Sequence, residues 1–300
     1  MFRVNLAAGG TATGVAVAVA LLVGAIPAQS APSATSGVAG PTSTGTGTPS
    51  PTGTPSQTPA PTTTTPDDRL LPDLVALPAG KAYVQRRSDG RRLRFESALG
   101  NVGDGPIEVR PNNARPCPAG QHNSTQIIYR DANSNARYNL RKDTSFVRHR
   151  AGCMVFHPAH DHWHFKASAR YTLLKPAKER RVVVSARRKV SFCLRDSDRL
   201  PRRYGTWDDR ESYGRCSQHS PQGISVGWMD VYQNFLAGQA LRLPRRLTPG
   251  LYCLETVVDP IDQLAESDDT NNSSVRALRI NGDRVKVRPA ARCKRQEGTS

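Results

Sequence analysis

Four of the seven histidines fall within eight residues, His157-Pro158-Ala159-His160-Asp161-His162-Trp163-His164. Neutral imidazole is the commonest protein ligand for transition metals, and several converging rings make a strong site. Downstream, Trp163, Phe165, Ala167, Ala169, Tyr171 and Leu173 alternate with His164, Lys166, Ser168 and Arg170. This period of two predicts a single strand whose polar face carries His160, His162 and His164 together. In a straight strand His160 and His164 are about 13 Å apart, too far for both to reach one ion at ~2.0 Å. The chain must therefore bend there, and Pro158 or a bulge could supply the bend. A helical turn would unite His160 and His164 but exclude His162, and the continuing alternation argues against it. Ligand type alone admits Cu(II), zinc or nickel. The competing explanation is that the histidines decorate a surface.

The surrounding sequence is that of a β-protein. Leu93, Phe95, Ser97 and Leu99 alternate with polar neighbours. Val190, Phe192 and Leu194 share one face while Lys189, Ser191 and Cys193 share the other. Residues 181–186 precede that strand, and Tyr252, Leu254, Thr256 and Val258 form another. Turn signals separate the runs at 101–105, Pro249-Gly250, Asn271-Asn272 and Asn281-Gly282. No long amphipathic helix with caps is evident. The expected fold is all-β, an antiparallel sandwich with an immunoglobulin-like core, carrying long irregular loops at 111–150 and 196–222. Loops of that length tend to hold function.

Residues 1–66 contain one charge, Arg3, and no acid, so of the formal net charge of +17 the remaining residues carry +16. Arg3, the apolar run 15–26 and the small residues Ala28 to Ala31 have the order of a secretory signal, residues 1–31, cleaved near Ser30 or Ala31. Residues 32–66 hold 8 Pro and 12 Thr with no charge and no aromatic. Such a segment cannot bury enough surface to offset its ordering entropy and is expected to be a disordered linker. Residues 67–300 then form the folded domain. Six cysteines, none in a C-x-x-C pair, suit up to three disulfides in an exported protein and disfavour a zinc ribbon. No stretch reaches the roughly 20 apolar residues of a membrane span.

Taken in order, several motifs resemble the lysyl oxidases, extracellular copper- and quinone-dependent amine oxidases, here in what looks like a bacterial secreted form. The pattern H-x-x-H-x-H-x-H from His157 to His164 is similar to the family's copper loop. Leu71-Pro72-Asp73-Leu74-Val75 resembles the domain start, and Arg92-Leu93-Arg94-Phe95 its first long strand. The segment 189–194, KVSFCL, resembles the one supplying the cofactor lysine, and 222–232, QGISVGWMDVY, the one supplying the cofactor tyrosine. Pro249-Gly250 and the segment 266–272, ESDDTNN, are similar to the closing strands. Ala159 stands where the animal enzymes carry a cysteine, and several of their other cysteines are absent, so the disulfide framework must differ. The pairing expected is Cys193–Cys216, Cys117–Cys153 and Cys253–Cys293.

The resemblance implies a Cu(II) site at His157, His160, His162 and His164, and a lysine tyrosylquinone made from Lys189 and Tyr232. A metal near a phenol lowers its pKa and couples it to O2, giving a quinone that an amine can attack; Lys189 must attack as the free amine. By themselves, Lys189 follows two other basic residues and Tyr232 could be an ordinary core tyrosine. Turnover would convert a primary amine, peptidyl-lysine included, with O2 and water into an aldehyde, ammonia and hydrogen peroxide. For the base, Asp230 shares a face with Tyr232 if that segment is a strand, with Asp161 and His219 as rivals and a purely structural carboxylate as the alternative. The resemblance also implies a Ca(II) site at Asp73, the Leu74 carbonyl, Glu266, Asp268, Asn271 and Asn272, an oxygen set suited to a hard cation. The alternative there is a hydrogen-bonded Asn-Asn turn.

A surface of +16 repels free amines and lysine-rich peptides at long range, and should attract anionic cell-wall or matrix polymers in a salt-dependent manner. Nucleic acid is disfavoured by export and by the lack of a recognition motif. Two other functions compete with the oxidase: a non-catalytic, wall-bound, metal-binding adhesion module on an immunoglobulin-like sandwich, and a zinc hydrolase using the three histidines.

Overall fold

A computed structural model describes residues 67–113, 117–176, 182–205 and 210–293, without the side chains of 187–190. The expected signal and linker lie outside the described residues. The fold is all-β. Its strands are β1 (Arg69–Leu70), β2 (Leu74–Arg87), β3 (Gly90–Asn101), β4 (Ile107–Asn112), β5 (His122–Arg130), β6 (Phe146–His157), β7 (His162–Lys175) and β8 (Val182–Phe192). After these come β9 (Asp198–Arg199), β10 (Gln222–Ile224), β11 (Trp228–Tyr232), β12 (Ala240–Arg242), β13 (Gly250–Val258), β14 (Ser273–Asn281) and β15 (Arg284–Arg288). No α-helix occurs among the described residues.

Two antiparallel sheets form. The larger runs β10-β4-β5-β6-β7-β13-β14-β15, with β1 on β5 and β8 on β7; the smaller runs β12-β3-β11-β9, with β2 on β3. The alternating residues meet between them. Leu93 and Phe95 of β3 pack against Tyr171 and Leu173 of β7 and Tyr252 and Leu254 of β13. Phe95 and Tyr171 meet edge-on at 4.8 Å, the arrangement ring quadrupoles favour. A second cluster joins Leu99, Ile107, Met154, Phe165 and Leu194. Three disulfides, Cys117–Cys153, Cys193–Cys216 and Cys253–Cys293, match the expected pairing.

Two expectations are corrected. Residues 111–150 are not one long loop, because β5 and the start of β6 cross them. The alternation in β5 is hidden by polar residues in buried positions: Ser124 and Gln126 are fully buried. Gln126 exchanges two hydrogen bonds with Ala265, donating to its carbonyl at 2.9 Å and accepting from its N–H at 2.8 Å. Burial at that position is selected by backbone pairing, which a hydrophobicity pattern does not register. Residues 182–186, expected to precede a strand, are its first part, since β8 runs through Val182–Phe192.

The described residues of 196–222 are largely irregular, as expected, and one carboxylate, Asp196, gathers several of their hydrogen bonds. Asp196 accepts from the N–H groups of Ser212, Tyr213 and Ser225 and from the Ser225 hydroxyl, at 2.8–3.0 Å.

Candidate metal centre

The histidine segment bends as the distance argument requires, but at a hairpin. β6 and β7 pair antiparallel, with His157 opposite His162 closing the connection. The N–H groups of His160 and Asp161 both donate to the His157 carbonyl, at 2.9 and 3.0 Å, and Asp161 takes φ 55°. His160 therefore comes from the turn and only His162 and His164 from the strand. The single-strand ladder is thus incorrect in detail: alternation persists along β7, but the chain reverses before it reaches His160.

This turn brings three ring nitrogens together. His164 Nε2 lies 3.1 Å from His162 Nε2 and 3.3 Å from His160 Nδ1. Two nitrogens bound to one ion at ~2.0 Å with an angle near 100–110° would be about 3.1–3.3 Å apart, so the rings stand at ligand spacing. Burial, then the neighbouring His162, lowers His164 to about 4. Burial also lowers His162, against a hydrogen bond with the His160 backbone. Neutral imidazole is the form that coordinates. His157 is not part of the converging set: its ring stacks on His160 with centroids 4.0 Å apart, and its Nδ1 is buried without a hydrogen-bond partner. The Cys193 and Cys216 sulfurs also approach His162, but they are bonded to each other and offer no thiolate.

One side chain that sequence reasoning did not single out ties this centre to the rest of the site. Gln222, 1% exposed, donates to the carbonyl of Trp163, between His162 and His164, at 2.5 Å, and accepts from the Leu194 N–H at 3.2 Å. It therefore clamps β7 to the segment carrying Cys193. The Trp163 indole donates to the Gln218 carbonyl at 3.1 Å and meets His122 edge-on at 4.6 Å.

Tyr232 ends β11, opposite Ser97 of β3. Its ring stacks on Phe192 at 3.6 Å. Its hydroxyl lies 2.5 Å from the Cys193 carbonyl and 2.5 Å from Asp230 Oδ2. Since Cys193 Sγ is within 4.8 Å of a His162 ligand atom, the phenol oxygen is no more than about 12 Å from that imidazole, with one residue between. Asp230 is 1% exposed and also accepts from Ser197 Oγ at 2.9 Å and the Arg195 N–H at 3.3 Å. Burial raises it to about 7 despite these bonds, and burial followed by the Asp230 charge pushes the Tyr232 phenol well above its ordinary value. The rival carboxylate Asp161 is exposed in the turn and His219 is exposed in the 196–222 segment.

Lys189 lies in β8, three residues before Phe192, but its side chain lies outside the described ones. There Phe165 and Ala169 of β7 pair with Phe192 and Val190 of β8, so three residues of β7 oppose one of β8. Ala167, at φ 59°, sits in this bulge, a feature common beside functional sites.

A sequence model described as Lysyl oxidase matches residues 134–290, more than half of the chain. The chain belongs to the lysyl oxidase family. It is 31% identical over 134 residues to lysyl oxidase homolog 3 of Homo sapiens, covering 44% of this chain and 16% of that protein. It is also 31% identical over 132 residues to lysyl oxidase homolog 2 of Xenopus tropicalis, with the same shares of the two chains. The match thus spans only about a sixth of these lysyl oxidase relatives.

The second cluster of site residues lies where the start of β2 meets the β13–β14 connection. Glu266 accepts from the Leu74 N–H at 2.7 Å and from Asn272 Nδ2 at 3.0 Å; Asn271 Nδ2 donates to Asp73 at 2.7 Å. Burial raises Glu266 to about 8 and also raises Asp73, to which Asp268 adds repulsion. The amide oxygens of Asn271 and Asn272 are buried without hydrogen-bond partners. Asp268 is half-buried and accepts from the Thr270 N–H and hydroxyl at 2.8 and 2.6 Å.

Proposed function

We propose that this chain is a copper-dependent primary amine oxidase of lysyl oxidase type. It would deaminate peptidyl-lysine or other primary amines to aldehydes with O2, releasing ammonia and hydrogen peroxide. The observation that carries this reading is the convergence of His160, His162 and His164 at ligand spacing, 3.1 and 3.3 Å between nitrogens. Those three residues would hold the copper, and His157 would support His160 from behind. Bound copper supplies the redox couple with O2 needed to oxidise a phenol.

The chain's own residues supply the rest. Tyr232 is the ring to be oxidised and Lys189 the amine to be joined to it. Phe192 fixes the plane of the Tyr232 ring by stacking. Asp230 Oδ2 accepts the phenolic hydrogen bond, which makes it the place to receive that proton. With a pKa of about 7, this carboxyl is also matched to a general base working near neutral pH. The Cys193–Cys216 disulfide fixes the Cys193 carbonyl that holds the phenol in its present position.

Calcium fits the second cluster. Two partnerless buried amide oxygens beside two carboxylates raised by burial are the kind of oxygen donor set that a hard cation takes. Asp73, the Leu74 carbonyl, Glu266, Asn271 and Asn272 would hold the ion, with Asp268 contributing charge. Three disulfides accord with an oxidising, extracellular location. Protein matured with copper and air should give a Lys189–Tyr232 crosslinked peptide by mass spectrometry. Copper-loaded protein with no such crosslink, unreactive to hydrazines and silent for peroxide with amines, would refute the reading.

A further inference from the structure

A cavity of about 430 Å³ is lined by Arg279, Arg288 and Arg292 together with Gly250, Leu251 and Pro289. It lies at the end of β7 away from the imidazoles, since Cys253 pairs with Leu174; the ten residues from His164 to Leu174 span about 30 Å of strand. The site is built by the fold. Arg279 projects from β14 opposite Leu251 of β13 and Lys286 of β15. Arg284, Lys286 and Arg288 alternate along β15 and so share one face. Arg292 sits in the 3-10 turn Ala290–Cys293, whose last residue is bonded to Cys253 of β13.

Among the described residues the charge there is uncompensated. None of the ion pairs among the described residues involves Arg279, Arg284, Lys286, Arg288 or Arg292. From Arg276 to Arg295 the sequence holds eight cations and one acid, Asp283, and Asp283 is engaged by Arg86 and Arg91. Glu255 lies two residues beyond Cys253 on β13, outside the cavity lining. Arg279 directly opposite Lys286 is a like-charge cross-strand pair, which destabilises a sheet; a bound anion would relieve it.

We infer that this cavity and the β15 row form a binding surface for an extended, base-free phosphate polymer, with one phosphate seated among Arg279, Arg288 and Arg292. Guanidinium forks match phosphate oxygens in pairs. Alternate residues of β15 repeat about every 6.8 Å, a spacing at which successive phosphates of a chain meet successive cations. Among the described residues no aromatic side chain lines the cavity, so they offer no platform for stacking nucleobases. The surface gives a place to the anionic partner expected from the net charge, and it does not depend on the oxidase reading.

The test is fluorescence-anisotropy binding of long-chain inorganic polyphosphate to the full chain across a salt series. Replacing Arg279, Arg288 and Arg292 together by Gln should weaken binding at least about tenfold and lower the salt slope by about two, for three cations removed. A control of equal charge, Arg141→Gln, Lys142→Gln and Arg150→Gln, should change affinity by less than about threefold. A triple Lys variant, which keeps charge and fold, should retain the slope but bind more weakly than wild type. Equal loss in the control, wild-type binding by the Gln variant, or tighter binding of single-stranded DNA or polyglutamate at matched charge would each overturn the inference.

Discussion

The Tyr232 hydroxyl and Asp230 Oδ2 stand 2.5 Å apart, two positions along the same strand and on the same face. The carboxyl is buried and raised to about 7, so the phenol shares its hydrogen bond with a group that titrates near neutrality. Asp230→Asn should preserve copper binding and slow the appearance of hydrazine-reactive quinone by about 10²-fold or more, the usual range for a positioned proton acceptor. Quinone formation at the wild-type rate would remove Asp230 from the chemistry.

The same carboxyl makes a stability prediction. Its folded pKa lies above the ordinary 3.8, so its contribution is complete below that value and is lost as pH rises through about 7. The melting temperature of metal-free protein should therefore fall across the approach to neutrality, and Asp230→Asn should flatten that slope. Differential scanning calorimetry over the range reads both.

The triad and its stacked neighbour should behave differently. His162→Ala or His164→Ala removes a converging nitrogen and should cost more than about 10²-fold in copper affinity, with loss of the crosslink. His157→Ala removes only a supporting ring and should cost about 10–100-fold at most, the range for groups that orient a ligand. Competition titrations with a copper chelator separate the two; equal losses would place His157 among the ligands.

Gln222 bridges the two halves of the site, so Gln222→Leu should leave two backbone groups unpaired and cost about 2–3 kcal/mol. In a domain of this size that lowers the melting temperature by roughly 4–12 °C. The shift should be accompanied by weaker copper binding, which a destabilisation remote from the site would not produce.

Calcium should raise the melting temperature, by about 2.7 kcal/mol of added stability at 100 times its Kd. Asn271→Ala together with Asn272→Ala should abolish the increment. No calcium response in the wild type would leave the partnerless amide oxygens as part of a simple turn.

Much of this was legible in the chain. Alternation in the segments that became β3, β7 and β13 exposed the sheets because their buried faces are apolar. The β5 segment was missed because polar Ser124 and Gln126 occupy buried positions, Gln126 being held there by hydrogen bonds to the Ala265 backbone rather than by apolar character. Likewise Asp230 could be placed beside Tyr232 by strand periodicity, whereas Gln222 and Asp196 act on partners distant along the chain, and no local pattern encodes that.

Side-chain chemistry and a period of two were enough to read from the chain the candidate imidazoles, their crowding into eight residues, the bend that a shared ion would require among them and the β-rich class. Tertiary structure decided where the bend falls, that His160 closes on His164 from a hairpin turn while His157 stacks behind it, and that Cys193 stands between the imidazoles and the phenol. Those outcomes depend on strand register and on hydrogen bonds between segments far apart in the chain, which only the packed sheets fix.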